Sequence, residues 1–293
     1  MLQDSFAIYA SDTCEIDTHI NVWTNMKSAN YIDMGLRIYR KEKFSTISVY
    51  IPYHISESDI FDLSEIMKNE TVMRGIFNQK CSLTISSEES YYDVELTNCR
   101  MRVIPVQSCK PTTATNGNGT IITFTISQWS DDNIAYIRFR LPYTALSDYL
   151  STRKPIYIEA LESPIMKESY LYNFKLNESR TLPQTVLKSM NSLVGIKSIH
   201  FFLCMPDKCS IRSENSYKTR IIENEVFESY IPDKQFEKNS IAYQWYDCGM
   251  TKYTLSTFFE RKYVNWISVI FYSLAVIILN IISNYLFQLL LNS

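Results

Sequence analysis

Two arginines stand two residues apart in the segment 135–141, where apolar and polar residues alternate as they do in a β-strand. Residues two apart on a strand share a face, so Arg138 and Arg140 are placed side by side. Such a pair can clamp an anionic ligand, or it can form cross-strand ion pairs with Asp and Glu. The spacing leaves both interpretations open, and these two arginines are the candidate ligand-binding residues.

Other residue types that do chemistry are scarce or poorly spaced. The chain has three histidines, and His200 precedes Cys204 and Cys209, which together give three of the four ligands that a zinc site needs. Acidic pairs such as Asp131 and Asp132 stand in polar turns, and no nucleophile motif accompanies them. We therefore predict no metal site, no catalytic residues and no cofactor, and we expect a protein that is not an enzyme.

The composition excludes several classes of ligand. Six glycines are too few and too scattered for a phosphate-binding loop or a dinucleotide fingerprint. The balance of 29 basic against 31 acidic residues predicts no nucleic-acid partner. Seven cysteines, odd in number and widely spaced, are typical of free thiols in a reducing compartment.

The segment from Trp266 to Leu291 contains no charged side chain. As a helix it would extend roughly 39 Å, enough to cross a hydrocarbon core of about 30 Å. Lys252, Arg261 and Lys262 precede it and no basic residue follows, so the positive-inside rule places the domain in the cytoplasm. Because no signal peptide is recognisable at the N-terminus, the sequence predicts a single-pass, tail-anchored protein of the inner (plasma) membrane.

Polar residues form a stripe along this predicted transmembrane helix. At 100° per residue, all of them except Ser268 fall within an arc of about 140°. Residues along this stripe also recur in alternating steps of four and three, which is the spacing of the contact face in self-associating helices. Amide side chains in lipid form hydrogen bonds between helices that contribute about 0.6–2 kcal/mol each. An ordinary anchor that tolerates a few amides is the alternative. The predicted self-association residues are Ser273, Ile277, Asn280, Asn284, Phe287, Gln288 and Leu291.

The rest of the chain alternates in the manner of β-strands, with helical patterns at 58–69, 146–151, 183–193 and 217–230. The expected fold is mainly β, a sandwich or barrel-like arrangement with a few short helices, followed by one C-terminal transmembrane helix. The predicted divisions are residues 1–110, 111–260 and the transmembrane helix at 264–291. The first two are either separate β-rich subdomains or one continuous domain.

A weak internal repeat accompanies these strands. Residues 31–53 and 120–143 each have the pattern of two strands that close on a Pro-Tyr pair, at Tyr53 and at Tyr143, before a Ser-Asp helix start. Either a duplication or the general resemblance of β-hairpins explains the pattern.

These observations favour a membrane protein whose cytoplasmic domain senses a small-molecule or protein trigger and whose helix assembles a homo-oligomer. If the polar stripe lines a water path, assembly would permeabilise the membrane, as an effector of anti-phage defence would. One alternative is a membrane-tethered scaffold or adaptor without pore activity. Another is a membrane-tethered hydrolase whose site is not visible as a motif.

Overall fold

The computed structural model describes residues 4–24, 30–40, 44–85, 89–153, 165–189, 192–206, 209–223, 227–232, 240–264 and 266–291. The helices in these ranges are α1 (Glu70–Phe77), α2 (Gln184–Ser189) and α3 (Trp266–Leu291). The strands are β1 (Ala7–Ala10), β2 (Glu15–Trp23), β3 (Tyr31–Tyr39), β4 (Thr46–Ile51), β5 (Phe61–Asp62), β6 (Cys81–Ile85), β7 (Tyr92–Leu96), β8 (Arg100–Val103), β9 (Thr112–Asn116), β10 (Gly119–Thr125), β11 (Ile134–Pro142), β12 (Leu150–Arg153), β13 (Ile165–Leu176), β14 (Ser192–Leu193), β15 (Gly195–Pro206), β16 (Cys209–Arg212), β17 (Lys218–Ile221), β18 (Ser240–Met250) and β19 (Tyr253–Val264). The prediction of a mainly β fold with a long apolar C-terminal helix is confirmed.

The described strands form three sheets. The main sheet has the order β17-β18-β15-β2-β3-β11-β8-β7-β6, and β5 also pairs with β11. The second sheet has the order β14-β1-β4-β10-β9, and the third has the order β12-β13-β19-β16. A bridge between Phe6 and Leu176 joins the second sheet to the third. Side chains from all three sheets share one hydrophobic core.

The core lies between the main sheet and the other two, so the fold is a β-sandwich. Phe139 of β11 meets Phe124 of β10 with ring centroids 5.1 Å apart. Phe201 of β15 meets Phe174 of β13 at 4.8 Å. We call the side of the main sheet that faces this core its inner face and the opposite side its outer face. Because side chains alternate along a strand, every strand of the main sheet contributes to both faces.

The predicted helix at 58–69 is wrong in its position. Ile66–Lys68 forms only a 3-10 turn, and α1 begins after it, where the side chain of Asn69 accepts hydrogen bonds from two backbone N–H groups of the first turn. The segment begins in another 3-10 turn, Glu57–Asp59, and Phe61–Asp62 is then held extended because β5 pairs with β11. Strand pairing thus overrides the local helical pattern.

Of the other three predicted helices, one is shorter than expected and two are replaced by 3-10 turns or strands. The helix expected at 183–193 is α2 alone, and it is followed by β14. The segment 146–151 is the end of a 3-10 turn that leads into β12. The segment 217–230 contains β17, whose pairing with β18 keeps it extended, while residues 224–226 lie outside the described residues.

The two copies of the predicted repeat are not hairpins. In each copy one strand lies in the main sheet and the other in the second sheet. The copies pair with each other instead, β3 with β11 and β4 with β10, both antiparallel. Leu141 lies opposite Ile32 in the main sheet, and its equivalent Ile51 lies opposite Thr120 in the second, so the two registers differ by two residues.

Tyr53 and Tyr143, which end the two copies, stack on each other with ring centroids 5.7 Å apart. Equivalent residues of two repeats related by a pseudo-twofold axis would meet in this way, and the duplication stays a prediction. Strands from 1–110 and from 111–260 alternate within the main and second sheets. The division near residue 110 stays a prediction.

The helix α3 stands apart from the sandwich. Only Asn265 separates it from β19. It has 26 residues and is long and apolar enough to cross a membrane. Only 6% of its most apolar stretch is buried, whereas a core helix of a soluble protein would be mostly covered.

Candidate functional site

The outer face of the main sheet carries buried charge. Asp33 of β3 and Arg138 and Arg140 of β11 point to this face and are 0%, 1% and 8% exposed. Charged side chains are almost never buried to this extent unless they are paired. Tyr230 and residues of α1 pack with the apolar side chains around them. The two predicted ligand-binding arginines therefore lie together, as the strand alternation requires.

Asp33 and Arg140 form an ion pair across the two strands. Arg140 Nε lies 2.6 Å from Asp33 Oδ1, and Arg140 Nη2 lies 3.0 Å from Asp33 Oδ2. Asp33 Oδ2 also accepts hydrogen bonds from Trp23 Nε1 at 2.9 Å and from Tyr230 Oη at 2.7 Å. Burial alone would raise the pKa of Asp33, but the charge and hydrogen bonds of Arg140 outweigh it, so this pKa lies below its ordinary value. Arg140 thus forms a cross-strand ion pair with an acidic residue, which is one of the two interpretations of its position in the sequence.

Arg138 has different neighbours. Its Nε donates to Tyr230 Oη at 2.8 Å, and its Nη1 donates to Tyr136 Oη at 2.9 Å. Burial raises the pKa of Tyr136 and of Tyr230, so both phenols are uncharged at neutral pH. Among the described residues no carboxylate hydrogen-bonds to Arg138. A buried guanidinium without a bonded anion is unfavourable, because its lost hydration is only partly replaced.

Gly35 provides the space that Arg138 occupies. It lies directly opposite Arg138 in the register of β3 and β11. A Cβ atom at this position would be 2.2 Å from Tyr136 Oη and 2.5 Å from Arg138 Nη1. Glycine in the interior of a strand often marks such a close approach. No larger residue fits here without moving the guanidinium or the phenol.

A cavity of about 60 Å³ opens beside Arg138. Besides Arg138, its polar lining includes His19, Asn21 and Arg220, and most of the remaining wall is apolar. Asn21 Oδ1 is buried and has no hydrogen-bond partner among the described residues. An apolar cavity with a few polar groups is typical of a small-molecule site. The apolar part of the wall includes Trp23, Phe202, Cys204, Ile222, Phe227 and Ala242.

Two histidines lie on the same outer face. The rings of His19 and His200 are 5.0 Å apart, and His19 Nδ1 is 3.2 Å from Tyr136 Oη. Burial lowers the pKa of His19 well below 6.5, and the neighbouring His200 and Arg138 lower it further. Burial also lowers the pKa of His200. Both imidazoles are therefore predominantly neutral at pH 7.

The spaced ligands considered for zinc do not converge. His200 and Cys204 lie on β15 in the main sheet, whereas Cys209 lies on β16 in the third sheet. In the part of the chain that the structure describes, no three His, Cys, Asp or Glu side chains are grouped so that they could hold a metal ion. All seven cysteines are free thiols, and five of them are buried.

The predicted self-association residues are all exposed on α3: Ser273, Ile277, Asn280, Asn284, Phe287, Gln288 and Leu291. Ser273 Oγ donates to Val269 O within the helix at 2.8 Å, which satisfies its hydroxyl without a second helix. Asn280 and Asn284 are four residues apart and share a face. Pairing of this face with another helix stays a prediction.

Sequence reasoning missed the partners of the two arginines. Asp33 and Gly35 carried a usable signal, since they interrupt a strand whose alternate residues are apolar, and aligning 31–39 with 134–142 antiparallel places Asp33 opposite Arg140. Tyr230 carried no such signal, because it lies far along the chain in a segment with a helical pattern. Neither a scan of protein-family models nor a search of curated proteins finds a match to this chain.

Proposed function

We propose that this chain is a non-enzymatic, single-pass membrane receptor that assembles through α3. The β-sandwich lies on the cytoplasmic side of the inner (plasma) membrane and binds a small-molecule or protein trigger. The observation that carries the proposal is α3 itself, a 26-residue helix without charge whose side chains are almost all exposed. So much apolar surface is unfavourable in water, and a bilayer covers it.

The residues around the start of α3 support this orientation. Arg261 and Lys262 lie at the end of β19, and Trp266, which is 74% exposed, begins the helix. Basic residues beside a spanning helix favour the cytoplasmic side, and tryptophan favours the boundary between lipid and water.

Assembly is supported by the exposed amides of α3. Asn280 and Asn284 lie well inside the helix, where lipid offers no hydrogen-bond partner. Two copies that face each other along this side would satisfy both amides at once. Each amide contributes only a modest free energy of association, so a small change in the domain is enough to shift the equilibrium between monomer and oligomer.

The connection between the two parts supports signal transfer. β13 and β19 pair along their whole lengths, from Ile165 opposite Val264 to Leu176 opposite Tyr253. Since β19 ends at Val264 and α3 begins at Trp266, a shift of this strand pair has a short path along the chain to the helix.

The test is chemical cross-linking of the full chain in native membranes, compared with the variant Asn280→Leu/Asn284→Leu. We expect cross-linked oligomers from the wild type and monomers from the variant. Ile278→Leu/Ile282→Leu is the matched control, because it changes two residues four apart on another side of the helix and should retain the oligomer. Equal cross-linking of all three chains would refute assembly through the amide face.

A second comparison distinguishes a receptor from a scaffold. Residues 266–291 are exchanged for an unrelated apolar anchor, and the recovery of the native oligomer is measured. A scaffold that needs only attachment would keep its partners after the exchange, whereas the proposed receptor loses its assembly. Dye leakage from vesicles that contain the wild-type chain shows whether the assembly also permeabilises the bilayer.

A further inference from the structure

We propose that the cavity beside Arg138 binds one anionic group, a carboxylate or a phosphate, carried on a short apolar stem. The inference rests on the proposed function in taking the outer face of the main sheet as the ligand-binding face. It separates the roles of the two arginines, because Arg138 contacts the ligand while Arg140 only positions the surrounding residues.

The first step is the charge balance of the buried cluster. Two guanidinium groups, Arg138 and Arg140, share the single carboxylate of Asp33. The oxygens of that carboxylate are occupied by Arg140, Trp23 and Tyr230. Arg138 therefore contributes a buried positive charge that its two phenolic partners do not neutralise. An anion at hydrogen-bond distance would neutralise this charge and offset its desolvation.

The second step is the space available to that anion. Arg138 lines a cavity of about 60 Å³. Since one water needs roughly 10–15 Å³ of such space, the cavity has room for a carboxylate or a phosphate group. The buried amide of Asn21 faces the same cavity without a partner among the described residues. Rotation of that amide by half a turn would present its NH₂ group to an anion.

The third step is the path that leads out of the cavity. Phe202, Ile222 and Phe227 form apolar walls, so the atoms next to the anionic group are in an apolar environment. Arg220 of β17 is exposed, and its guanidinium lies 5.5 Å from the Phe227 ring centroid. A ligand that extends from Arg138 towards Arg220 thus passes an apolar section before it reaches water.

A second depression lies next to the cavity along β17 and β18. Arg220 and Lys218 alternate on β17, opposite Ala242 and Gln244 of β18. The depression has a volume of about 560 Å³ and includes Lys218, Gln244 and His200 in its lining. The face beyond the cavity therefore has room for a larger substituent and carries positive charge, which favours an anionic ligand over a neutral one.

The experiment measures thermal unfolding of the purified full chain in detergent, at fixed pH and ionic strength. The probes are butyrate, monobutyl phosphate, inorganic phosphate and butanol. We expect butyrate or monobutyl phosphate to raise the midpoint temperature by about 3 °C at ten times its Kd. Inorganic phosphate should act more weakly, and butanol should have no effect. The stronger of the two butyl probes identifies the anionic group.

Arg138→Met should abolish the rise, while Arg212→Met, a matched change at an exposed arginine of β16, should keep it. Ala242→Leu narrows the cavity without changing any charge and should also abolish the rise, so the test does not depend on one variant. Asn280→Leu/Asn284→Leu should bind the probes like the wild type, which separates this result from the assembly test.

Several outcomes would overturn the proposal. A rise with butanol equal to that with butyrate would mean apolar binding without a role for Arg138. If inorganic phosphate raised the midpoint temperature as much as the butyl anions do, the apolar stem would play no part in binding. If neither butyl anion raised the midpoint temperature, or if Arg138→Met kept the full rise, the cavity would not be an anion site.

Discussion

The two faces of the main sheet are built from the same strands, and both bury side chains of β3 and β11, yet they differ in chemistry. On β3 the inner face carries Ile32, Met34, Leu36 and Ile38, all fully buried in the sandwich core. The intervening residues of β3 include Asp33, Gly35 and Arg37 on the outer face. The inner face needs only apolar residues of suitable volume. The outer face needs particular partners at particular distances.

This difference has a physical meaning. An apolar layer on the outer face would bury as much surface without the desolvation of two arginines and an aspartate. Stability therefore does not explain the buried charges, and binding is the role that we propose for them. The contrast between the faces predicts that substitutions on the two sides will follow different rules, and the four predictions below test it from the largest expected effect to the smallest.

Asp33→Asn should have the largest effect on the outer face. It removes the carboxylate that pairs with Arg140 and leaves the buried guanidinium without this anion, at a cost of about 3–5 kcal/mol in the free energy of unfolding. Phe139→Ala on the inner face should cost about as much, through a cavity instead of a charge. Chemical unfolding measures both. A loss of less than about 1 kcal/mol in the free energy of unfolding of Asp33→Asn would contradict the contrast between the two faces.

Gly35→Ala should follow, with a loss of about 1–3 kcal/mol, because its Cβ overlaps Tyr136 Oη and Arg138 Nη1. It should also weaken binding of the butyl anions, since Arg138 must move. Gly195→Ala is the matched control, because its Cβ would lie 3.6 Å from its nearest neighbours on β2 and the residue before it, an ordinary van der Waals distance. Equal stability of the two variants would show that the close approach at Gly35 is not required.

The pH dependence of stability should reveal the buried histidines. The pKa of His19 in the folded chain lies below 6.5, so stability is full above pH 6.5 and falls as the pH drops below it, because only the unfolded chain takes up the proton. The loss is at most about 1.4 kcal/mol per pH unit for each histidine. His19→Gln should remove part of this slope between pH 7 and 5, and His54→Gln, at an exposed position, should not. Parallel curves for all three chains would contradict the prediction.

Arg138→Met should change stability least, by no more than about 1 kcal/mol in either direction. Replacing a buried charge with an apolar side chain of similar volume is often neutral or stabilising. A matched substitution of an inner-face residue by a charged one, Leu36→Arg, should prevent folding. Urea unfolding of Arg138→Met measures the change in the free energy of unfolding for the outer face. A loss above about 3 kcal/mol would mean that Arg138 is mainly structural.

The sequence predicted the sandwich and the apolar helix because both depend on patterns that are local in the chain. The strand alternation placed Arg138 and Arg140 on one face, and the absence of charge between Trp266 and Leu291 identified α3. Helix positions were less successful, because β5 and β17 are extended only through pairing with distant strands. Local propensity contains no information about such partners.

The candidate site was predictable only in part, for a related reason. Arg138 and Arg140 could be read from one strand, but the meaning of each depends on residues more than ninety positions away. Asp33 neutralises Arg140 across the sheet, and Tyr230 approaches from a later segment. The difference between the two arginines is therefore a property of the fold.

The junction of β19 with α3 has a consequence for geometry. β19 ends at Val264 and α3 begins at Trp266, so the chain between these two residues spans at most about 7 Å. Two copies joined through their helices would therefore hold their sandwiches close together beside the membrane. Inserting two or three glycines after Val264 would lengthen this connection and let the two sandwiches move apart.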